Sequence, residues 1–228
     1  QVKIKEEEHH HHRPARELIR IIQESPFPSS IKEKAQEMVR KIAEVEAKIH
    51  GADPQEIHLH EVGGVDTIVD ITGVLIALHM LEIDEIRSSP IPTGHGWVES
   101  AHGLLPIPAP ATLELLRGIP IYSGEIEGEL TTPTGAVLVS SLSKSFGSLP
   151  SCQIEKIGYG AGERDYSYPN VLRAIMGKRE IHLKEEKNLV IETNIDDMSP
   201  QIVEYLTEKL FQEGALDVFI TPIFMKKQ

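Results

Sequence analysis

His58-Leu59-His60-Glu61-Val62-Gly63-Gly64-Val65-Asp66-Thr67-Ile68-Val69-Asp70 is the stretch on which the architecture of this chain turns. It reads as a strand end, a Gly-Gly link and the first turns of an apolar helix starting near Val65. A strand passing into a helix predicts an α/β (α+β) fold, a mixed sheet flanked by helices. Residues i and i+2 of a strand point the same way, so His58 and His60 converge. Asp66 and Asp70 are i,i+4 and share a helix face. Two imidazoles and two carboxylates, with Glu61 beside them, make a candidate divalent-metal site. Imidazole suits nickel, zinc, copper and iron, while carboxylate suits magnesium and manganese. A capped helix with a polar solvent end uses the same residues.

Downstream, the helix over residues 65–81 is apolar nearly all round, which predicts burial. Asp66 and Asp70 would then need a cation or the helix N-terminal amides as partners. Upstream, Arg13-Pro14 starts a helix carrying Leu18, Ile21 and Ile22, and residues 25–30 break it. A second helix over 30–50 carries Ile31, Ala35, Met38, Val39, Ile42, Val45 and Ile49 on one stripe and ends at Gly51. Residues 1–8 read as a short strand, and His9 to His12 as a nickel-collecting tract or a solvated turn.

Residues 83–92 are strand-like, and 93–110 form a long loop rich in Gly and Pro. That loop holds His95 and His102, which either complete a ring of imidazoles with His58 and His60 or sit exposed. A helix follows over 109–116. Thr131, Thr132, Thr134 and Gly135 introduce another over 136–146, and their hydroxyls and free N–H groups suit either a phosphate or an ordinary N-cap. Gly158-Tyr159-Gly160-Ala161-Gly162 fits only part of a phosphate-binding loop, and residues 170–176 read as a strand. Arg164, Asp165 and Arg173 would steer an anionic substrate or pair at the surface.

The charged stretch 181–188 separates residues 1–180, a metal-binding α/β domain, from 189–228. The latter reads as strand 189–194, helix 199–211 and strand 216–221, the truncated opening of a ferredoxin-like βαβ domain. Asp196 and Asp197 behind its first strand could hold Mn2+ or Mg2+ with nucleotide phosphates, or form a helix-leading turn.

Bulk composition narrows the function. The 228 residues carry a formal net charge of −12, against a nucleic-acid partner and compatible with cation collection. Aromatic residues are 5%, too few for base-stacking platforms. The single Cys152 cannot form an intrachain disulfide, so a reducing cytoplasm is expected. No run reaches the roughly 18 apolar residues of a membrane span, and no signal peptide is evident from Gln1 onward.

Several ordered blocks resemble one family. They are the 58–70 stretch, Gly94-His95-Gly96, Ala101-His102-Gly103-Leu104-Leu105-Pro106-Ile107-Pro108-Ala109-Pro110-Ala111-Thr112, Thr131-Thr132-Pro133-Thr134-Gly135-Ala136, Ile157 to Gly162, and Pro169-Asn170-Val171-Leu172-Arg173. Together with Glu192-Thr193-Asn194-Ile195-Asp196-Asp197-Met198, they look like the nickel-pincer cofactor biosynthesis family LarC, over roughly residues 10–227. The resemblance implies a cytoplasmic nickel insertase acting on a bis-thiocarboxylated pyridinium mononucleotide, using CTP with Mn2+ or Mg2+. It places the nucleotide machinery mainly in the second domain, so that this fragment alone would bind metal without completing catalysis. It involves no nucleic acid and no membrane, and it allows a homo-oligomer. Against the family pattern, the chain lacks an aspartate- and glycine-rich strand-turn ahead of the histidine segment.

Three readings follow. The first is nickel insertion, with His58, His60, Glu61, Asp66, Asp70, His95 and His102 as metal residues. Thr132, Thr134, Gly135, Arg164, Arg173, Asp196 and Asp197 would then bind nucleotide or substrate. The second is a nickel storage or delivery chaperone without chemistry of its own. The third is a metal-dependent hydrolase using a bound water.

Overall fold

The helix predicted over residues 30–50 is the hub of the core in the computed structural model, which describes residues 13–57, 59, 65–100, 103–162, 164–166, 168–179, 189–196 and 198–224. Backbone contacts divide the chain into two units, Gln1–Glu180 and Ile181–Gln228. The readings placed on residues 1–12 and 181–188 lie outside the described residues.

In the first unit, α1 (Ala15–Glu24) and α2 (Ser29–His50) are separated by the Ser-Pro-Phe-Pro break. Leu18 and Ile22 of α1 are fully buried. Ile31, Ala35, Met38, Val39 and Ile42 of α2 recur at helical spacing and are buried too. Gly51 ends α2 in the left-handed conformation, φ 64° and ψ 34°, where a Cβ would be strained. Around α2 pack α1, α3 (Val65–Met80), α4 (Pro110–Leu115) and α5 (Pro133–Leu142).

The helix α3 departs from its sequence reading. Thr67, Ile68, Ile71, Thr72 and Leu75 form its buried face, while Asp66, Asp70, Gly73, Val74 and Ala77 are exposed. Its apolar content reflects small and β-branched residues on a solvent face, not burial all round. The two carboxylates therefore keep access to water and need no buried counter-charge.

Strands occur as four pairs among the described residues, in place of the single mixed sheet expected. Two pairs are parallel: β1 (Ile86–Ser88) with β6 (Ser143–Phe146), and β2 (Ile91–Pro92) with β5 (Ile121–Tyr122). Two are antiparallel: β3 (Gly96–Ser100) with β4 (Gly103–Ile107), and β7 (Gln153–Ala161) with β8 (Val171–Lys178). The strands of the parallel pairs run two to four residues, too short to recruit further partners.

Three local readings change accordingly. The 93–110 stretch is mostly the β3–β4 hairpin, since Val98, Leu105 and Ile107 alternate with exposed residues and outweigh the Gly and Pro content. The helix expected to reach residue 146 stops at Leu142, where Ser143–Phe146 pairs with β1 instead. The glycine-rich 158–161 segment is ladder-bonded strand in β7, not a loop. Of the expected 57–61 strand, Ile57 and Leu59 are described; both are buried and neither lies in a ladder.

The second unit contains α6 (Pro200–Gln212), close to the helix predicted there. Its described flanks, 189–196 and 213–224, hold no strand, contrary to the βαβ reading. A strand needs a neighbour to take its N–H and C=O groups, and none is present for these segments among the described residues.

Candidate metal and anion site

The backbone around His95 is clamped on two sides. The Thr93 N–H donates to the Tyr122 carbonyl at 2.9 Å, and the Leu130 N–H donates to the Thr93 carbonyl at 3.2 Å. His95 donates to the Ile126 carbonyl at 3.2 Å and accepts from the Gly128 N–H at 2.8 Å, forming an isolated parallel bridge with Glu127. This approach depends on Gly94. Its φ is +76°, and a Cβ there would lie 1.8 Å from the Gly128 carbonyl oxygen. No other residue fits that contact.

The same clamp carries the start of α5. Thr131 Oγ1 donates to the Pro92 carbonyl at 2.6 Å, so the helix N-terminus is tied beside the strand that leads into His95. Thr132 caps the helix, its hydroxyl accepting from the Gly135 N–H at 3.3 Å. Pro133 has no N–H, and the Ala136 N–H goes to the Thr132 carbonyl at 2.8 Å. In that first turn the Thr134 N–H and hydroxyl are what remain to meet an anion. The cap reading of Thr132 and the phosphate reading of Thr134 therefore coexist on one turn, with Gly135 engaged in the cap.

The connection between β7 and β8 touches the 128–129 segment through Tyr166. Tyr166, between β7 and β8, lies over Gly128 and donates from its hydroxyl to the Glu129 carbonyl at 3.3 Å. The turn is fixed by Asn170, whose Nδ2 donates to the Arg164 carbonyl at 3.0 Å. Arg164 is exposed on that turn. Arg173 is exposed further along β8, paired in register with Tyr159.

Asp66 and Asp70 stand apart from this arrangement, on the exposed face of α3. Asp66 Oδ1 accepts from the Thr67 N–H at 2.8 Å. Partial desolvation, and next the charge of Asp66, raise the Asp70 carboxyl above its ordinary value of 3.8. That arrangement suits a cation, which would relieve the repulsion between the two. His58, His60, Glu61, His102 and Asp197 lie outside the described residues. Among the described residues no group of three or more His, Cys, Asp or Glu is placed to hold a metal ion. His95 is thus the described imidazole of the expected set. Asp196 is exposed in the second unit.

Sequence reading did not single out Glu127, the bridge partner of His95. The alternation Glu125-Ile126-Glu127-Gly128-Glu129-Leu130 was the available signal, since a period of two puts the three carboxylates on one side of an extended segment. His50, read as structural, has Nε2 3.4 Å from Glu46 Oε2 beside a cavity of about 80 Å3. That volume is far below the roughly 300–1,000 Å3 of ligand pockets, so it does not receive a mononucleotide. No helix among the described residues is long and apolar enough to cross a membrane.

Over residues 1–228 the chain matches the family described as "Nickel insertion protein". It is 54% identical over 211 residues to a putative nickel insertion protein of Dictyoglomus thermophilum, covering 92% of this chain and 55% of that protein. It is 50% identical over 213 residues to the pyridinium-3,5-bisthiocarboxylic acid mononucleotide nickel insertion protein of Desulfitobacterium hafniense strain DSM 10664, covering 91% and 53%. The protein of that description from Clostridium kluyveri is 49% identical over 215 residues, covering 94% and 54%. The chain spans about half the length of the curated relatives it matches. No solved structure matches.

Proposed function

Because this chain belongs to the nickel insertion protein family, we propose that it takes part in inserting nickel into pyridinium-3,5-bisthiocarboxylic acid mononucleotide. The observation that supports this reading is the clamp that ties the segment leading into exposed His95 to Leu130 and Thr131, which lead into α5. A metal donor and an anion-facing turn would then act on one substrate. Nickel is cargo here. An exposed imidazole holds it loosely, and the sulfur atoms of a thiocarboxylate are softer donors that draw it on. The substrate phosphate would meet the Thr134 N–H and hydroxyl, with Arg164 and Arg173 supplying positive charge.

The finer parts of the proposal concern the longer protein. Residues 1–180 would carry the nickel and substrate groups, and 189–228 would open a nucleotide-associated domain. CTP would bind there with Mn2+ or Mg2+, for which the oxygen donors of Asp196 and Asp197 are chemically suited. The protein would act in the cytoplasm on small molecules, and a homo-oligomer is compatible with that role.

The test is to incubate the full-length protein with nickel, the bis-thiocarboxylated mononucleotide and CTP, and to look for the metallated product by mass spectrometry. Product that requires CTP, and a rate at least tenfold lower in His95→Ala, is the expected result. Several weakly bound nickel ions with no nucleotide dependence and no product would instead identify a storage or delivery protein. Hydrolysis of the substrate without metallation would identify a hydrolase.

A further inference from the structure

We propose that Glu127 is the second protein donor to the nickel ion that His95 takes, an inference that rests on the nickel function proposed above. The parallel bridge sets the two residues side by side, with His95 bonded to the backbone on either side of Glu127. Bridged residues on neighbouring strands project to the same side and are rooted about 4.8 Å apart. Side chains so placed reach one cation at metal–donor distances of about 2 Å.

The Glu127 side chain lies against Gly96, the residue that follows His95. It runs across Gly96, where a Cβ would come within 3.1 Å of Glu127 Cγ and 3.6 Å of Oε1. Gly96 has φ +103°, so both its conformation and its bareness leave room for the carboxylate arm. Gly94 on the other side of His95 permits the close backbone contact already described. His95 is therefore flanked by two glycines of positive φ, Gly94 against the Gly128 carbonyl and Gly96 against the Glu127 side chain.

The chemistry of the pair is open for a ligand. Both residues are exposed, and among the described residues neither side chain forms a hydrogen bond or an ion pair. A carboxylate beside an imidazole gives a nitrogen and an oxygen donor for nickel, and the two separate readily when a sulfur ligand arrives. His95 alone supplies one bond. With Glu127 the ion is held by two, while its remaining positions stay open to the substrate.

The pair is tested by nickel titration calorimetry on wild type, His95→Ala, Glu127→Gln, the double variant, and Glu37→Gln on the exposed face of α2 as a control for lost charge. Nickel-induced broadening of the His95 imidazole resonances is followed in parallel. Glu127→Gln is expected to weaken nickel about tenfold or more, with the double variant little worse than His95→Ala and Glu37→Gln unchanged. Broadening at His95 should need a correspondingly higher nickel concentration in Glu127→Gln. Unchanged affinity in Glu127→Gln while His95→Ala loses it would overturn the role of Glu127 and leave the proposed function standing. Unchanged affinity in all variants would overturn the pair as a donor set, whatever the outcome of the product assay.

Discussion

His95 and Glu127, 32 positions apart in the chain, are neighbours across a parallel bridge closed by bonds of 3.2 and 2.8 Å. The bridge exists because Gly94 lets the two backbones touch. Gly94→Ala should therefore do two kinds of damage. The left-handed backbone is strained for alanine, and the new methyl overlaps a carbonyl oxygen that cannot swing away. Together these are worth about 2–5 kcal/mol. Chemical denaturation should show that loss, with weakened nickel binding in whatever protein stays folded. A stability within about 0.5 kcal/mol of wild type would show that the segments do not meet as described.

Glu85 fastens the parallel pair β1–β6. Its carboxylate accepts from Arg87 Nε at 2.5 Å and from Lys144 Nζ at 3.0 Å, the latter reaching from β6. These hydrogen bonds hold its pKa down to about 2 from an ordinary 4.5. A depressed carboxyl stabilises the fold above its unfolded value and loses that contribution as pH falls through the folded one. The window runs from about pH 4.5 down to about 2. Carboxyl NMR should find Glu85 still ionised when most exposed glutamates have titrated, and Lys144→Met should move its midpoint upward. A midpoint near 4.5 in wild type would contradict the contact.

The helices were legible in the sequence because their signals are local. The α2 stripe and Gly51 lie within one continuous segment, as do Thr132 and Pro133 at the head of α5. What escaped depends on partners distant in the chain. Ser143–Phe146 leaves the helical pattern because β1 is there to pair with it. Gly158 and Gly160 read as loop residues but belong to a strand because β8 lies opposite. The apolar residues of α3 suggested burial on every side, yet position on the helix decides which of them face the core. His95 was found through its glycine neighbours and its family resemblance, whereas no spacing rule connects residue 95 to residue 127.

Thr112 is fully buried on α4, and its hydroxyl has no hydrogen-bond partner among the described residues. An unmet buried hydroxyl costs about 1–3 kcal/mol. Thr112→Val keeps the shape and replaces the hydroxyl by a methyl, so it should raise the unfolding free energy by about 1 kcal/mol. Thermal denaturation reads the change directly. A clear loss of stability would mean that the hydroxyl has a partner, and Thr112→Ser would then retain part of the wild-type value.

Asp70 offers the opposite pH behaviour to Glu85. Its pKa is raised from 3.8 by partial desolvation and by Asp66 one turn away. A carboxyl with a raised folded value binds its proton more tightly in the fold than in the unfolded chain. Below about pH 3.8 both states are protonated and the group is neutral toward folding. As pH climbs through the raised folded value, ionisation disfavours the fold, and the handicap persists at neutrality. Asp70→Asn should therefore be more stable than wild type at neutral pH, with the difference vanishing in acid. Asp66→Asn should lower the Asp70 pKa, because it removes the like charge while leaving the desolvation. Nickel or manganese should narrow the neutral-pH gap between wild type and Asp70→Asn if a cation settles between the two carboxylates. Melting curves with and without metal decide the matter: a variant less stable than wild type in metal-free neutral buffer would show that the ionised carboxylate supports the fold, contrary to the electrostatics of this helix face.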